Sequence, residues 1–352
     1  MKTPHERQPQ SRSSPCFSDL PRRGLIAATA ALPLAAILHR SADAAQFTLK
    51  FADGQEPAHP VNVRARQAIE KIATATSGAV QIKLFPNSEL GADPDVLTQL
   101  RSGGVDMINM GSDVLATLVP AEAMLNLGFA FANYGQVWKA MDGGLGTYLA
   151  GRIAAVGLRQ IGRSWDNGFR QITASTHPIT TPASLYGFKI RVPPAPMLTS
   201  LFRALGASPT PVNFNELYSA LQTHLVDGEE NALPIVATAK LYEVQKYCTM
   251  TNHSWGGYLI LANAARFKRM PQKYQDIITQ AFDEAGLAER QDIAALSASL
   301  SKELAGKGMV FNEAPSAPFR AALLKTSYYR GWKAKFGAKP WKLLEDAVGP
   351  LG

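Results

Sequence analysis

GFKIRVPPAPMLTSLFRALGASPTPVNFNELYSALQTHLVDGEENAL, residues 187–233, is the stretch that decides the fold. FKIRV (188–192) reads as a strand that stops on the prolines of VPPAP, since proline fixes its own φ and keeps the residue before it extended. Pro196 then opens a helix to about Leu205, and SPTPV (208–212) is short and extended. Asn215 caps a helix over ELYSALQTHL (216–225). Arg191, at the strand end, has its stem fixed by the prolines that follow. Its planar guanidinium can make two parallel charge-assisted bonds to one carboxylate and keeps its proton when desolvated. Alone, such an arginine is ordinarily a surface or structural ion-pair residue, and Arg170, in DNGFRQIT, carries the same ambiguity.

The same alternation extends to either side. QFTLKFA (46–52) reads as a strand, Pro60 opens a helix to Ser77 that Gly78 stops, and VQIKLF (80–85) alternates again. Asp93-Pro94 starts a helix that ends at Gly103-Gly104, and VDMINMG (105–111) is a third strand. Strands separated by helices of this length predict an α/β fold with a mostly parallel sheet covered on both faces. Residues 134–156 read as helical with a break at Gly143-Gly144; further strands are expected at 158–165, 169–173, 247–252 and 258–263. From Pro271 to about Gly306 apolar residues recur at helical spacing, a helix of about 50 Å, long enough to brace two lobes. Two helices broken near 289–292 are the alternative. Residues 318–352 read as one or two helices with a break at Pro340.

At 352 residues, 46% hydrophobic and 18% charged, the chain has the composition of a globular protein of two domains or one large body, and no disordered class fits. Residues 1–44 stand apart. Arg22-Arg23 precedes a short apolar run, GLIAATAALPLAAIL (24–38), and Ala42-Asp43-Ala44 has the small residues of a cleavage site. This reads as an export leader of the twin-arginine kind, too short and too broken by Pro33 for a membrane span. Without it, 30 Lys/Arg and 25 Asp/Glu remain, a net charge of +5. That balance, with no basic runs interleaved with aromatics, argues against nucleic acid. Cys16 leaves with the leader, so Cys248 stands alone, without a disulfide, and reads as buried packing.

No catalytic template closes: GxSxG, HExxH, CxxC and the phosphate-loop spelling are all missing. His59, His177, His224 and His253 are isolated in sequence, so no metal set is expected. The glycines of DGGLGTYLAG (142–151) follow a helix instead of a strand and read as helix punctuation.

Read whole, residues 187–233 resemble the solute receptor of tripartite ATP-independent periplasmic (TRAP) transporters, the DctP family. The likeness is carried by the K-I-R-V-P strand end, the A-L-G-A-x-P-x-P turn, the F-x-E-x-Y-x-A-L-Q helix and the V-D-G-x-E-N segment, in order. HPV (59–61), LFPNSELG (84–91), NGFRQIT (167–173) and YEVQKYCTMTNH (242–253) agree, so it spans residues 46–340. The resemblance implies a two-lobed periplasmic binding protein with hinge strands and a long bracing helix at 271–306. One lobe would take roughly 45–165 with part of the C-terminal region, and the other roughly 170–262. It implies no enzyme and no cofactor. A small-molecule carboxylate is the expected ligand, the membrane permease subunits are the expected partner, and the periplasm is the expected location.

By position, Arg191 matches the family's carboxylate-gripping arginine, Arg170 a second cleft arginine, Asn231 a polar partner and Phe214 an aromatic wall. At Ala232 members commonly have proline. Trp165 and Trp255 are further expected walls, which tilts the ligand toward an aromatic or a hydroxy/keto acid over a sugar acid. Other classes remain: a secreted enzyme acting on a small organic acid, or a receptor serving a signalling partner.

Overall fold

The computed structural model describes residues 45–351, so the leader expectation, with Arg22, Arg23 and Ala44, lies outside the described residues. The strands are β1 (Phe47–Ala52), β2 (Val80–Phe85), β3 (Met107–Gly111), β4 (Leu158–Gln160), β5 (Trp165–Ala174), β6 (Lys189–Val192), β7 (Ser208–Pro211), β8 (Gly228–Ala232), β9 (Tyr247–Asn263) and β10 (Val310–Glu313). They form one sheet in the order β2-β1-β3-β9-β5-β8-β6-β7, with β4 and β10 also paired to β9. The wings β2-β1-β3 and β8-β6-β7 are each parallel internally. Between them, β9 and β5 run antiparallel to each other and to the wing strands beside them.

Alternation within each strand supplies the cores. Phe51 and Met107 face a cluster formed with helix Pro60–Ala75 and the helix Gln272–Gly306, while their neighbours Ala52 and Ile108 face Val96, Leu97 and Leu100 on the other side. In the second wing Ile190 and Val192 pack on helix Pro196–Ala204 and the C-terminal helices. The opposite face carries Leu217, Leu221, Leu233 and Leu304. A parallel sheet needs cover on both faces, and each wing has it.

Several boundaries differ from expectation. β9 is one strand of 17 residues where two were expected. Gly256-Gly257 does not break it, because the missing side chain lets the Trp255 ring close in: a Cβ at Gly257 would lie 2.8 Å from Trp255 Cη2. The expected 158–165 strand is split by Gly162, at φ +68, so that β5 begins at Trp165. β8 and β10 were missed altogether. Asn215 does not cap: a 3-10 turn runs Phe214–Glu216, and the helix begins at Leu217 without a side-chain cap.

Gln272–Gly306 is a single helix of 35 residues. No break falls at 289–292, where Glu289 and Arg290 are anchored to the start of β5 and Asp292 is paired with Arg64. Glu289 Oε2 accepts the Asp166 N–H at 2.9 Å, and Arg290 donates to the Ser164 carbonyl at 2.6 and 2.9 Å. At the C-terminus there are three helices, Ser316–Leu324, Tyr328–Phe336 and Ala338–Val348. The stop comes at Gly337, at φ +85, and Pro340 sits in the first turn of the last helix, where its missing N–H costs nothing. Cys248 is fully buried in the cluster with Leu300 and Leu304, which pushes its thiol pKa up and leaves it inert packing.

Candidate functional site

β6 alternates, so with Ile190 and Val192 in the core Arg191 points to the other face, beside Glu229 of β8 in register. Arg191 is 1% exposed. Its Nε donates to the Val212 carbonyl at 2.9 Å, which fixes the plane of the fork. Among the described residues no carboxylate lies close enough to form an ion pair with it. Glu229, the neighbour that could have done so, spends both oxygens on neutral donors: Thr173 Oγ1 at 2.8 Å and Asn231 Nδ2 at 2.6 Å. Burial, with repulsion from Glu230, raises the Glu229 carboxyl to about 7. Burial also pulls the Arg191 pKa down, against the attraction of Glu229 and Glu230. The outcome is a desolvated cation whose outer nitrogens are uncommitted.

A cavity of ≈ 40 Å³ opens at this fork, lined by Arg191, Arg170, Asn231, Phe214, Asp93 and Asp113, with Gln55, Asn167, Asn213, Tyr258 and the prolines after β6 also on its walls. Four of the six expected residues therefore meet at one place. Arg170 differs in kind from Arg191, because Nε and Nη2 bind Glu230 Oε2 and Oε1 at 2.5 and 2.8 Å. Nη1 stands 3.7 Å from Asp113 Oδ2. Desolvation would lower its pKa, and the charge of Glu230 more than reverses that. Asn231 does not stand free either, since its amide serves Glu229.

Trp165 and Trp255 do not line the cavity. Trp165 is fully buried against Phe282 and Gly286 of the long helix. Trp255 packs edge-on to Phe131 and Trp138, and its indole N–H reaches Asp166 Oδ1 at 2.8 Å. The sheet turns both rings into the helical layers, so their placement is that of core.

The sequence reading passed over Asp93, Asp113, Gln55 and Asn167. Asp93 is the first residue of helix Asp93–Ser102, whose N-cap position is Ala92. Burial, the nearby charge of Asp113 and the opposing pull of Arg191 bring its carboxyl up to about 6. Tyr258, at the start of the expected 258–263 strand, stacks edge-on to His59 at 6.0 Å, and burial drives its phenol pKa well up. Asn167 opens the NGFRQIT segment, three residues before Arg170. Chemically, the arrangement can hold an anion on a fixed fork amid polar groups, and among the described residues no nucleophile and base are in contact at the cavity.

Comparison with known proteins gives a consistent picture. The family model of bacterial extracellular solute-binding proteins, family 7 (DctP), matches residues 51–331. The 2,3-diketo-L-gulonate-binding periplasmic protein YiaO of Escherichia coli K12 is 33% identical over 247 residues, 70% of this chain and 75% of its own. The C4-dicarboxylate-binding periplasmic protein DctP of Rhodobacter capsulatus is 32% identical over 285 residues, 79% of this chain and 85% of its own. The sugar acid binding protein DctPAm of Advenella mimigardefordensis, solved in complex with galactonate, is 29% identical and superposes with a TM-score of 0.83, covering 88% of this chain and 100% of that one.

Proposed function

Because this chain belongs to family 7 of the bacterial extracellular solute-binding proteins, the DctP family, we propose that it grips an organic acid by its carboxylate on Arg191 and delivers it to the membrane permease of its transporter. It is a TRAP-type solute receptor and not an enzyme. The observation that carries the Arg191 assignment is the buried arginine at the cavity wall, its Nε fixed on the Val212 carbonyl at 2.9 Å and its charge without an ion-pair partner among the described residues. A charge that has lost its water and has no counterion is costly, and a ligand carboxylate supplies both the charge and the paired geometry.

In this reading roughly 45–165 with part of the C-terminal region and roughly 170–262 form the two lobes, with β5 and β9 as the strands that flex between them. Arg191, Asn231 and Phe214 come from the second lobe. The leader carries the chain to the periplasm. Asn231 acts through Glu229, keeping that carboxylate off Arg191, and Phe214 closes one wall. Calorimetry of the mature protein against a panel of carboxylates, with parent and Arg191→Ala side by side and each mixture assayed for product, tests it. Saturable binding by the parent, lost in the variant, with the acid recovered unchanged, is expected. Turnover of an acid, or a folded Arg191→Ala protein that binds as the parent does, overturns the reading.

A further inference from the structure

We propose that the acid bound here is a monocarboxylate carrying hydroxyl groups along its chain, a small polyhydroxy acid whose hydroxyls donate to Asp93 and Asp113 while its carboxylate lies on Arg191. The inference rests on the Arg191 reading and narrows it.

The donor and acceptor inventory of the cavity carries it. Ionised carboxylates only accept hydrogen bonds. Asp93 has neither a hydrogen bond nor an ion pair with any described side chain, and it lines the cavity with Arg191. Gly54 makes room for it: a Cβ there would lie 2.7 Å from Asp93 Oδ1. Asp113 Oδ1 accepts the Val114 N–H at 2.9 Å, whereas Oδ2, 3.7 Å from Arg170 Nη1, has lone pairs to spare. Gln55 and Asn167, at 6% and 3% exposure, also line the cavity, and each leaves an amide oxygen without a partner. One end of the site therefore offers a donor fork, and the rest offers acceptors.

A hydroxyl meets those acceptors with a charge-assisted bond and adds no charge. A second carboxylate would be a third negative charge beside Asp93 and Asp113, and a bare alkyl or aromatic chain would leave both desolvated and unpaired. An ammonium would suit the acids but would have to settle beside Arg170, which already faces Asp113. With Trp165 and Trp255 packed elsewhere, the aromatic-acid half of the sequence expectation loses its walls, and a polyhydroxy acid departs from that expectation again in taking in the sugar acids ranked lower there.

Calorimetry of the mature protein with four acids of equal chain length tests this: erythronate, butyrate, succinate and threonine. Each charged hydrogen bond lost should weaken binding by about 10- to 100-fold, so erythronate should lead the other three by at least that factor. Asp93→Asn should weaken erythronate and strengthen succinate. Gly54→Ala displaces the Asp93 carboxylate without replacing it, so it should weaken erythronate and leave butyrate unchanged, even if Asp93→Asn fails to fold. Succinate, butyrate or threonine binding within about threefold of erythronate, or an Asp93→Asn that shifts all four alike, overturns the hydroxyl reading alone. Arg191→Ala retaining these acids overturns the clamp itself, and a parent that binds none of the four overturns both.

Discussion

Arg170 and Glu230 are bound to each other through both prongs of the guanidinium, Nε to Oε2 at 2.5 Å and Nη2 to Oε1 at 2.8 Å, with both residues buried. Nη2 also donates to the Glu230 carbonyl at 2.7 Å, and His253 Nε2 lies 3.0 Å from Oε2. Burial lowers the His253 pKa, so a neutral imidazole gives its Nε2 proton to Glu230 and accepts from Thr251 at Nδ1. Two arginines one cavity apart thus have opposite tasks. Arg170 is consumed in joining β5 to β8, whereas Arg191 has no such partner among the described residues.

Substituting each in turn should separate those tasks. Arg191→Ala should cost binding about 2 to 5 kcal/mol, roughly 30-fold to several thousand-fold, with stability little changed or improved, because it removes a desolvated cation. Arg170→Ala strands Glu230 in the interior and should cost stability about 3 to 5 kcal/mol. Calorimetry and urea denaturation on both variants check the pattern. If Arg170→Ala is as stable as the parent and Arg191→Ala is the one that unfolds, the assignments are reversed.

The residues that could be read from sequence were those whose position is set locally. Arg191 was visible because VPPAP pins the strand exit, and β1, β2 and the long helix were visible through their periodicity. β8 was not: Glu229, Glu230 and Asn231 spell a solvated loop, and only their partners on β5 and β6 make the run a buried strand. Asp93 hid for a related reason. An acid in the first turn of a helix is ordinary on dipole grounds, and its role depends on Gly54 lying opposite, which no local pattern encodes. Trp165 and Trp255 erred the other way, since composition says that an aromatic is near the sheet but not which layer it enters.

Glu122 gives a pH test of stability. It is fully buried in the turn Pro120–Asn126, neither carboxyl oxygen has a partner among the described residues, and burial alone raises its pKa from 4.5 to about 8. Below 4.5 the acid is neutral in both folded and unfolded chains and contributes no difference. As the pH rises toward 8 the unfolded chain ionises first, so the fold loses stability, by up to about 1.4 kcal/mol per pH unit. Glu122→Gln should remove that loss. Urea denaturation at pH 5 and pH 8 should show a variant advantage that grows with pH; a constant difference would mean that Glu122 does not titrate in this window.

The cavity of ≈ 40 Å³ is far smaller than the space a four- to six-carbon acid needs to enter, so the walls must part for binding and release. Glu56, after β1, touches Thr238 of helix Leu233–Thr238 at 3.3 Å, a contact that opening would break. Small-angle scattering should give a smaller radius of gyration with a saturating acid than without it. Identical curves would point to a rigid pocket fed by local side-chain motion.

The long helix supplies the last test, because it carries two glycines in opposite surroundings. Replacing a helical glycine by alanine normally gains about 0.5 to 1 kcal/mol by removing backbone freedom from the unfolded chain. At Gly306 nothing lies within 4 Å of the added Cβ, and Gly306→Ala should realise part of that gain. At Gly286 the Cβ would lie 2.6 Å from Trp165 Nε1 and 2.8 Å from Cδ1. The indole cannot retreat, being fully buried with Phe282 behind it. Overpacking of this kind costs about 1 to 3 kcal/mol, which exceeds the propensity gain, so Gly286→Ala should destabilise. The strain falls at the start of β5, beside the Asp166–Glu289 contact, and so should reach the strand that carries Arg170. Urea denaturation of the two variants decides it: opposite signs are expected, and stabilisation by both would mean that helix and sheet are not held together through Trp165.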